Sequence, residues 1–408
     1  MKKGTLIIGA GHAGVQTAAS LREAGYDEPV VLIGKENELP YHKPPLSKTF
    51  IKDAQAGPQL LRGENFYASN HIDFRPGLHV TRIDLASRRL EFAQAAPLAF
   101  DRLVLATGSR PRRLSVEGAD LAGVVSLREI EDARLIRLKS DASADVVVLG
   151  GGFIGLEIAA TLQAAGRNVT VIEAADRLLG RVVAQPIGEH VRQRFADLGV
   201  RILTGMTVSR LEGENGYVTA AITSAGERLP AQLVIVGVGV VPNVELAEQA
   251  GIAVANGVRV DGQMRSRVAE IFAVGDVASY RHWLTGQDVR LESVQNATDQ
   301  ARLAAQIIAG GSETYKAVPW FWSDIGDMKL QMVGLNTGAD NHLVVGERQE
   351  NSFSAYHFAG ERLVAIESVN RPADHMLGRK MMAAGLFPDR NLVLQGNNAM
   401  KGLLAKAG

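Results

Sequence analysis

The sequence predicts an α/β protein with two open parallel sheets and a smaller C-terminal α+β domain. Two observations predict the sheets. The apolar run Thr5–Ile8 leads into Gly-Ala-Gly-His-Ala-Gly at 9–14, and the apolar run 146–149 leads into Gly-Gly-Gly-Phe-Ile-Gly at 150–155. Each turn opens a helical pattern that is followed by a further β-rich run. Short alternating segments after Pro319 predict the third domain. We therefore expect two Rossmann-like units in one chain.

The three glycines of each turn are expected to have different tasks. The first makes a tight turn, the second lets the backbone approach a pyrophosphate, and the third lets the helix pack closely on the strand. The helix N-terminus then presents its N–H groups to the phosphates. These glycines are Gly9, Gly11 and Gly14 in the first turn and Gly150, Gly152 and Gly155 in the second. Two such turns predict two bound dinucleotides.

The second unit carries an acid where a dinucleotide's ribose is usually bound. Glu173 ends the strand after the second turn, 18 residues past Gly155. An acid there binds the adenosine ribose 2′-hydroxyl and repels a 2′-phosphate. We therefore expect NAD rather than NADP, although Arg177, four residues on, is a nearby cation that favours the opposite choice.

Composition places the chain among globular proteins of two or three domains. Of its 408 residues, 46% are hydrophobic and 22% charged. Lys+Arg and Asp+Glu both number 44, so net charge favours neither a nucleic acid nor a membrane surface as partner. No run approaches the ~20 apolar residues of a membrane span. The N-terminus passes directly into the first strand with no room for a signal peptide, which predicts a cytoplasmic protein.

The chain contains no cysteine, and this count narrows its chemistry. Disulfides, Cys-ligated zinc and Cys-ligated iron–sulfur clusters are excluded on this chain. A redox-active thiol that passes electrons onward is excluded as well. We predict no metal site.

The second glycine turn is predicted to belong to a domain that is inserted into the first, which is therefore discontinuous. Arg110-Pro111-Arg112-Arg113 and Val240-Val241-Pro242-Asn243 break the buried-strand patterns on its two sides. The simplest topology inserts the second dinucleotide unit into the first. The predicted domains are 1–111 with 244–316, then 112–243, and finally 317–408.

Two long motifs are more specific than the glycine turns. They are Leu-Pro-Tyr-His-Lys-Pro-Pro-Leu-Ser-Lys at 39–48 and Pro-Trp-Phe-Trp-Ser-Asp at 319–324. Between them, in order, stand Ala-Thr-Gly at 106–108, Val-Gly-Asp at 274–276 and Leu-Glu-Ser-Val-Gln-Asn-Ala at 291–297. Over nearly its whole length, the chain resembles the FAD-dependent, NADH-dependent ferredoxin reductases of bacterial oxygenase systems.

The resemblance implies a glutathione-reductase-like arrangement of an FAD domain, an inserted NAD domain and a C-terminal interface domain. It implies hydride transfer from NADH to FAD, then single electrons to a small [2Fe–2S] ferredoxin that serves a monooxygenase or dioxygenase. The protein would be a monomer or a weak homodimer. A rubredoxin reductase is the near alternative, and an NADH-responsive flavoprotein that signals to a partner is the distant one. No acid–base triad is needed, so His12 and His42 are interpreted as packing residues.

The resemblance also assigns the FAD contacts. They are Gly9, Gly11, Ala13, Gly14, Lys35 or Glu36, Lys48, Val80, Ala106, Thr107, Gly108, Arg128, Gly275, Asp276, Ser293, Val294 and Trp322. Lys35 stands where the family has an acid that binds the FAD ribose, so either Glu36 binds it or Lys35 contributes only its backbone. Asp276 would accept a ribityl hydroxyl or simply cap a turn. Ser293 is expected to cap a helix whose N-terminus faces the reduced flavin.

The resemblance implies that three residues take part in electron transfer. Lys48 would stabilise the anionic reduced flavin, Glu157 would approach the nicotinamide, and Trp322 would edge the flavin at the electron exit. The alternatives are a solvated lysine, a solvated helix glutamate and a core tryptophan. The NAD contacts are Gly150, Gly152, Phe153, Ile154, Gly155, Glu157, Glu173 and Gly239. The basic docking residues for the ferredoxin are Arg302, Lys329, Arg379 and Lys380, each of which could instead be an ordinary solvated charge.

Overall fold

The computed structural model describes residues 3–407, and the chain divides into two compact units. The first contains Met1–His42, Pro58–Arg110 and Val241–Ala317. The second contains Lys43–Gly57, Pro111–Val240 and Val318–Gly408. This division is coarser than the three predicted domains, whose boundaries stay a prediction. None of the helices in the described part of the chain has the length and apolar composition to span a membrane.

The first unit is built on a parallel sheet. Numbered along the whole chain, its strands are β1 (Thr5–Ile8), β2 (Val30–Ile33), β3 (Ile72–Arg75), β4 (Val80–Asp84), β5 (Arg89–Phe92), β6 (Leu98–Ala99), β7 (Arg102–Leu105), β18 (Val254–Ala255), β19 (Gly257–Val260), β20 (Ile271–Ala273), β21 (Ala278–Arg281) and β22 (Asp288–Val289). Its helices are α1 (His12–Glu23), α3 (Asn65–Ser69), α7 (Glu245–Gln249) and α8 (Val294–Ile308). The parallel sheet has the order β20-β7-β1-β2-β3, while β4-β5-β6 and β18-β19-β21-β22 form smaller sheets.

The central strands of this sheet are apolar on both faces because both faces are covered. Every residue of β1 and β2 is buried. Ile7 pairs with Leu32 on one side and with Val104 on the other. This register brings the carboxyl ends of β1, β2, β7 and β20 to one edge, the edge at which open α/β sheets bind ligands.

The second unit contains another parallel sheet and the C-terminal sheet. Its strands are β9 (Val124–Ser126), β10 (Asp145–Leu149), β11 (Asn168–Glu173), β12 (Arg201–Thr204), β13 (Val208–Glu214), β14 (Tyr217–Thr223), β15 (Arg228–Pro230), β16 (Leu233–Val236), β23 (Trp320–Ile325), β24 (Met328–Gly334), β25 (Asn341–Glu347), β26 (Ser352–Ala359) and β27 (Arg362–Val369). Its helices are α2 (Thr49–Lys52), α4 (Ile130–Asp141), α5 (Phe153–Ala164), α6 (Gln185–Asp197), α9 (Pro372–Ala383), α10 (Arg390–Leu394) and α11 (Asn397–Ala407). The chain passes between the units after His42, Gly57 and Ala317, and within β8 (Ser109–Pro111) and β17 (Val240–Pro242).

Besides the small sheet β13-β14-β15, the second unit has two larger sheets, which differ in pattern as the sequence predicts. The parallel sheet, β12-β11-β10-β16-β9, has fully buried central runs. The C-terminal sheet, β23-β24-β27-β26-β25, is antiparallel and is covered by α9. The predicted fold class, two Rossmann-like sheets with a C-terminal α+β domain, is confirmed.

Candidate dinucleotide and electron-transfer site

The first glycine turn is shaped by close backbone contacts. Gly9 has φ +109°, and a Cβ there would lie 2.2 Å from the carbonyl oxygen of Ala106. A Cβ at Gly14 would lie 1.8 Å from the carbonyl oxygen of Gly9. A Cβ at Gly11 would meet nothing within 4 Å. The first and third glycines are therefore required by packing, whereas the second faces space that a ligand can enter.

The second turn repeats this geometry. Gly150 has φ +105°, and its Cβ would lie 2.3 Å from the carbonyl oxygen of Gly237. A Cβ at Gly155 would lie 2.2 Å from the carbonyl oxygen of Gly150, while one at Gly152 would meet nothing within 4 Å. Across the residues that the structure describes, no side chain caps the N-terminus of α1 or α5. Both turns therefore fit a pyrophosphate, whose oxygens would receive the helix N–H groups.

A turn with polar side chains follows the carboxyl end of β20. Gly275 has φ +78°, and its N–H donates to Oε1 of the buried Gln300 at 2.8 Å. The hydroxyl of Ser109 donates to Oδ2 of Asp276 at 2.9 Å. Thus Gln300 holds the turn and Ser109 orients the Asp276 carboxylate. Sequence reasoning missed both residues, because neither belongs to a motif with a known role.

The turn after β7 is held by one amide side chain. Asn243 Nδ2 donates to the carbonyl oxygen of Thr107 at 2.7 Å, and the Thr107 hydroxyl donates to the Asn243 carbonyl oxygen at 2.8 Å. Gly108 has φ +65° and its carbonyl accepts the Asn243 N–H at 3.0 Å. Ala106 to Gly108 are thereby fixed beside the first glycine turn. Sequence reasoning named Asn243 only as part of a strand break and gave it no role at the site.

Helix α8 begins as the sequence predicts. Ser293 has extended backbone, and its hydroxyl oxygen accepts the N–H of Asn296 at 3.0 Å. The predicted N-cap is therefore confirmed. Val294 is the first helical residue and is half-buried. The helix end places a positive partial charge at this point of the first unit.

The loop after β2 favours Glu36 over Lys35 as a polar contact. Lys35 is exposed, whereas Glu36 is half-buried and accepts a hydrogen bond from the Tyr41 hydroxyl. Nearby, Nε2 of His12 lies 3.3 Å from Nδ1 of His42, and their rings meet edge to face. Burial, and to a lesser extent the charge of Arg62, lowers the pKa of His42. The two histidines form a pair beside the glycine turn.

Two other residues assigned to FAD are held by backbone or core contacts. The Val80 side chain is buried in the core, so only its backbone can meet a ligand. Arg128 is half-buried; its N–H donates to Oδ2 of Asp132, and its carbonyl accepts Nζ of Lys43 at 3.2 Å.

Glu157 is the centre of a buried polar cluster in the second unit. Its Oε1 lies 2.7 Å from Nζ of Lys48 and accepts the Ser323 hydroxyl at 2.6 Å. Its Oε2 accepts the Ser47 hydroxyl at 2.5 Å. The Thr161 hydroxyl, one turn along α5, donates to the carbonyl oxygen of Ser47 at 3.0 Å. Glu157 therefore holds the Lys48 ammonium and joins α5 to the proline-rich segment 39–48 and to β23.

Sequence reasoning identified Lys48 and Glu157 but not their partnership. The carboxylate is 6% exposed, so the solvated-glutamate alternative does not describe it. Ser47 and Ser323 are the missed members. Both belong to the long motifs at 39–48 and 319–324, and each stands next to a predicted site residue, Lys48 or Trp322, but neither motif gave the serine a role of its own.

Glu173 is oriented by the second glycine turn itself. Its Oε2 accepts the N–H of Gly151 at 2.7 Å, and its Oε1 accepts the N–H of Ala175 at 2.7 Å. The carboxylate therefore lies against the turn that is shaped for a pyrophosphate. Each oxygen retains a lone pair for a further donor such as a ribose hydroxyl.

Arg177 turns away from this carboxylate to bind backbone. Its Nη2 donates to the carbonyl oxygen of Gly180 at 2.6 Å, and its Nη1 donates to that of Val183 at 2.8 Å. The guanidinium thus shapes the loop that precedes α6. Because these backbone carbonyls bind its guanidinium, Arg177 is not positioned to bind a 2′-phosphate beside Glu173.

The other predicted NAD residues surround the second turn. Phe153 is half-buried and packs on Phe321, with ring centroids 4.8 Å apart. Ile154 is 43% exposed. Gly239 has φ +98° and is exposed, and its carbonyl accepts the N–H of Arg112 at 2.9 Å.

The tryptophans of β23 form part of an aromatic and cationic stack. The rings of Trp320 and Trp322 are 5.6 Å apart, and Cζ of Arg379 lies 4.1 Å from the centre of the Trp320 ring. His375 meets Trp320 edge-on. Burial and the charges of Arg379 and Lys329 lower the pKa of His375 to about 4, so its imidazole is neutral at pH 7. Trp322 is half-buried.

The four predicted docking residues differ in their surroundings. Lys329 and Lys380 are exposed residues of the second unit, where Arg379 is engaged with Trp320. Arg302 belongs to the first unit and is 56% exposed, with an ion pair to Asp299 at 3.2 Å.

Two sequence families match the chain. Residues 3–301 match the family described as pyridine nucleotide-disulphide oxidoreductase, and residues 320–404 match the one described as reductase C-terminal. The chain belongs to the pyridine nucleotide-disulphide oxidoreductase family. It does so without any cysteine, so disulfide exchange cannot occur on this chain.

Within this family, the chain is similar to reductases of small electron-transfer proteins. Rhodocoxin reductase of Rhodococcus erythropolis is 41% identical, over 93% of this chain and 89% of the relative. Rubredoxin-NAD(+) reductase of Pseudomonas putida is 40% identical, over 90% and 96%. Putidaredoxin reductase of the same species is 38% identical, over 98% and 97%.

Solved structures of similar reductases resemble the chain over nearly its whole length. The ferredoxin reductase for the CYP199A2 system of Rhodopseudomonas palustris has a TM-score of 0.93 and 42% identity, over 95% of this chain and 96% of that one. The reductase of a covalent putidaredoxin reductase–putidaredoxin complex has a TM-score of 0.94 and 38% identity, over 99% and 98%.

The comparisons confirm the resemblance to ferredoxin reductases and the prediction of an oxidoreductase. Members of this group use a flavin and a pyridine nucleotide, in agreement with the two glycine turns. Both the ferredoxin and the rubredoxin interpretations agree with the relatives.

Proposed function

We propose that the chain binds FAD at its first glycine turn and NADH at its second, and passes electrons to a small [2Fe–2S] ferredoxin that serves an oxygenase. The observation that carries this proposal is the same turn geometry in both units of a chain without cysteine. When bound, the flavin accepts hydride from the nicotinamide and releases electrons singly. Because the chain offers no thiol relay, those electrons go directly to an external acceptor.

The chain's own residues orient the bound FAD and stabilise the reduced flavin. Lys48, held by Glu157, supplies a positive charge for the flavin, and the N-terminus of α8 supplies a second one. Asp276, oriented by Ser109, accepts a ribityl hydroxyl. Glu36 rather than Lys35 accepts the FAD ribose hydroxyls. Trp322 lies at the electron exit.

The cofactor preference follows from Glu173. Replacing Glu173 by alanine removes the acceptor for the ribose 2′-hydroxyl and the repulsion of a 2′-phosphate. We expect the NADH preference, as the ratio of the two kcat/KM values, to fall by about tenfold or more. Arg177→Ala, the control, should leave this ratio unchanged because its guanidinium binds carbonyl groups. A wild-type enzyme that uses NADPH as efficiently as NADH would contradict the assignment.

The partner is expected to dock through basic side chains, because ferredoxins are generally acidic and this chain has no net charge. Arg302→Glu should raise the KM for ferredoxin by about five- to tenfold and leave NADH-dependent ferricyanide reduction intact. Added salt should weaken wild-type turnover more than that of the variant.

Arg259→Glu is a matched control for Arg302. Arg259 belongs to the same unit, is 54% exposed and pairs with Asp288 at 3.1 Å. An equal rise in KM for both variants would reflect overall charge. Equal loss of ferricyanide reduction by Arg302→Glu would place Arg302 at the flavin instead.

Steady-state reduction of cytochrome c tests the function. We expect NADH-dependent reduction only when a [2Fe–2S] ferredoxin is added. A rubredoxin is the second candidate acceptor, favoured by the 40% identity to a rubredoxin-NAD(+) reductase, and should be assayed in parallel. If NADH reduces the flavin but neither acceptor turns over, the signalling alternative is favoured and the proposal fails.

A further inference from the structure

Arg137, on α4, grips the chain segment that carries Lys48. Its Nη1 donates to the carbonyl oxygens of Phe50 and Asp53, both at 3.2 Å, and lies 3.4 Å from that of Ala56. Its Cζ lies 4.6 Å from the centre of the Phe50 ring. The guanidinium therefore binds two carbonyl groups, lies near a third and lies over an aromatic ring, all of the same short segment.

The position of these carbonyls explains why a cation is needed there. Helix α2, Thr49–Lys52, begins directly after Lys48 and has only four residues. The Phe50 carbonyl lies within α2 and Asp53 is its C-cap residue, so both lie at the helix end that carries partial negative charge, whereas Ala56 lies beyond it. The Arg137 guanidinium meets this charge and the Phe50 ring, while the buried side chain of Ile51 anchors the same turn in the core.

Lys48 is thus held from two directions within the second unit. Glu157 binds its ammonium at 2.7 Å, and Arg137 fixes the helical turn that follows its backbone. If only the ammonium were held, the backbone of 49–56 could shift and carry Lys48 with it. Small displacements of a charged group weaken its electrostatic action on a reacting centre.

We infer that Arg137 is a positioning residue, which acts on the flavin chemistry through Lys48 and does not touch the cofactor. The inference rests on the proposed function of Lys48 as the positive charge at the flavin. Arg137 belongs to none of the sequence motifs. It is one of several charged residues on α4, and nothing in the sequence distinguishes it from the others.

A double-mutant cycle tests it. Arg137→Met keeps the length of the side chain but removes its donors, and should slow NADH-dependent flavin reduction by about tenfold. It should shift the flavin midpoint potential in the same direction as Lys48→Met. In a Lys48→Met background it should add no further slowing and no further shift, because the residue through which it acts is gone.

Two further variants, one conservative substitution of Arg137 and one matched control, show whether the effect is specific to the contacts of Arg137. Arg137→Lys retains the charge but is shorter and lacks the planar guanidinium that lies over the Phe50 ring, so it should recover part of the rate. Lys139→Met is the matched control, because Lys139 is also on α4 and its Nζ also lies over an aromatic ring, that of Tyr217 at 4.9 Å. The control should leave rate and potential at the wild-type values. Amide hydrogen exchange over 49–56 should accelerate in Arg137→Met, with or without the flavin, and stay unchanged in the control.

The outcomes separate the inference from the function on which it rests. If Lys48→Met shifts rate and potential but Arg137→Met shifts neither, the inference fails and the role of Lys48 stands. Effects of the two substitutions that simply add would also overturn it, because Arg137 would then act independently. If Lys48→Met itself has no effect, both the role of Lys48 and the inference fall.

Discussion

Replacing Gly152 by alanine is expected to weaken NADH binding while leaving the fold intact, whereas Gly155→Ala should impair both. A Cβ at Gly152 meets nothing within 4 Å, but it occupies the space in which a pyrophosphate would lie. We expect the KM for NADH to rise about tenfold, with less than ~1 kcal/mol lost from the free energy of unfolding. At Gly155 the new Cβ lies 2.2 Å from the Gly150 carbonyl oxygen, and this overlap should cost about 1–3 kcal/mol.

Urea unfolding and NADH-dependent ferricyanide reduction measure the two effects separately. Gly402→Ala serves as control, because a Cβ there also meets nothing within 4 Å and the residue lies in α11, outside both turns. The corresponding pair in the first turn, Gly11→Ala and Gly14→Ala, should affect flavin retention in the same way. An unchanged KM for NADH in Gly152→Ala would show that the second turn does not bind the pyrophosphate.

Glu157→Ala is expected to damage both stability and flavin chemistry. The change leaves the buried Ser323 hydroxyl without its acceptor and Lys48 without its counter-ion, and leaves the Ser47 hydroxyl only the Pro44 carbonyl at 3.3 Å. We expect the free energy of unfolding to fall by about 3 kcal/mol. Glu157→Gln keeps an acceptor and most of the volume, so its loss should be about 1–2 kcal/mol. If Glu157→Ala unfolded at the wild-type urea concentration, the cluster would not stabilise the unit.

The same cluster predicts a redox effect. Lys48→Met removes the charge that Glu157 holds, so the reduced flavin should lose about 1–2 kcal/mol of stabilisation. For a two-electron couple this lowers the midpoint potential by about 20–40 mV. Lys52→Met is the control, since Lys52 is an exposed lysine of the same segment. An unchanged potential in Lys48→Met, with the flavin still bound, would place this lysine away from the ring.

The sequence was sufficient for features that depend on local pattern. Buried runs followed by glycine turns predicted both parallel sheets, because φ > 0 and a missing Cβ leave few other residues possible at Gly9 and Gly150. The cap at Ser293 was equally local, since its hydroxyl binds an amide three residues away.

The sequence was insufficient where a side chain finds its partner across the fold. Glu157 binds Ser47 and Ser323, which lie 110 and 166 residues away. Nothing in a helix sequence tells which distant hydroxyl will face it. Likewise, Lys43–Gly57 lies in sequence within the predicted first domain, yet its contacts group it with the second unit. The contacts of Arg137 and Glu157 give the physical reason.

An anaerobic titration tests the central claim, that electrons pass from NADH through a flavin to an iron–sulfur partner without a thiol. NADH is added to the purified flavin-loaded protein while its visible absorbance is followed, and oxidised [2Fe–2S] ferredoxin is then added. We predict that NADH bleaches the flavin absorbance and that ferredoxin restores it, with about two ferredoxins reduced per NADH. Bleaching by NADH that persists after ferredoxin and rubredoxin have both been added would contradict the account.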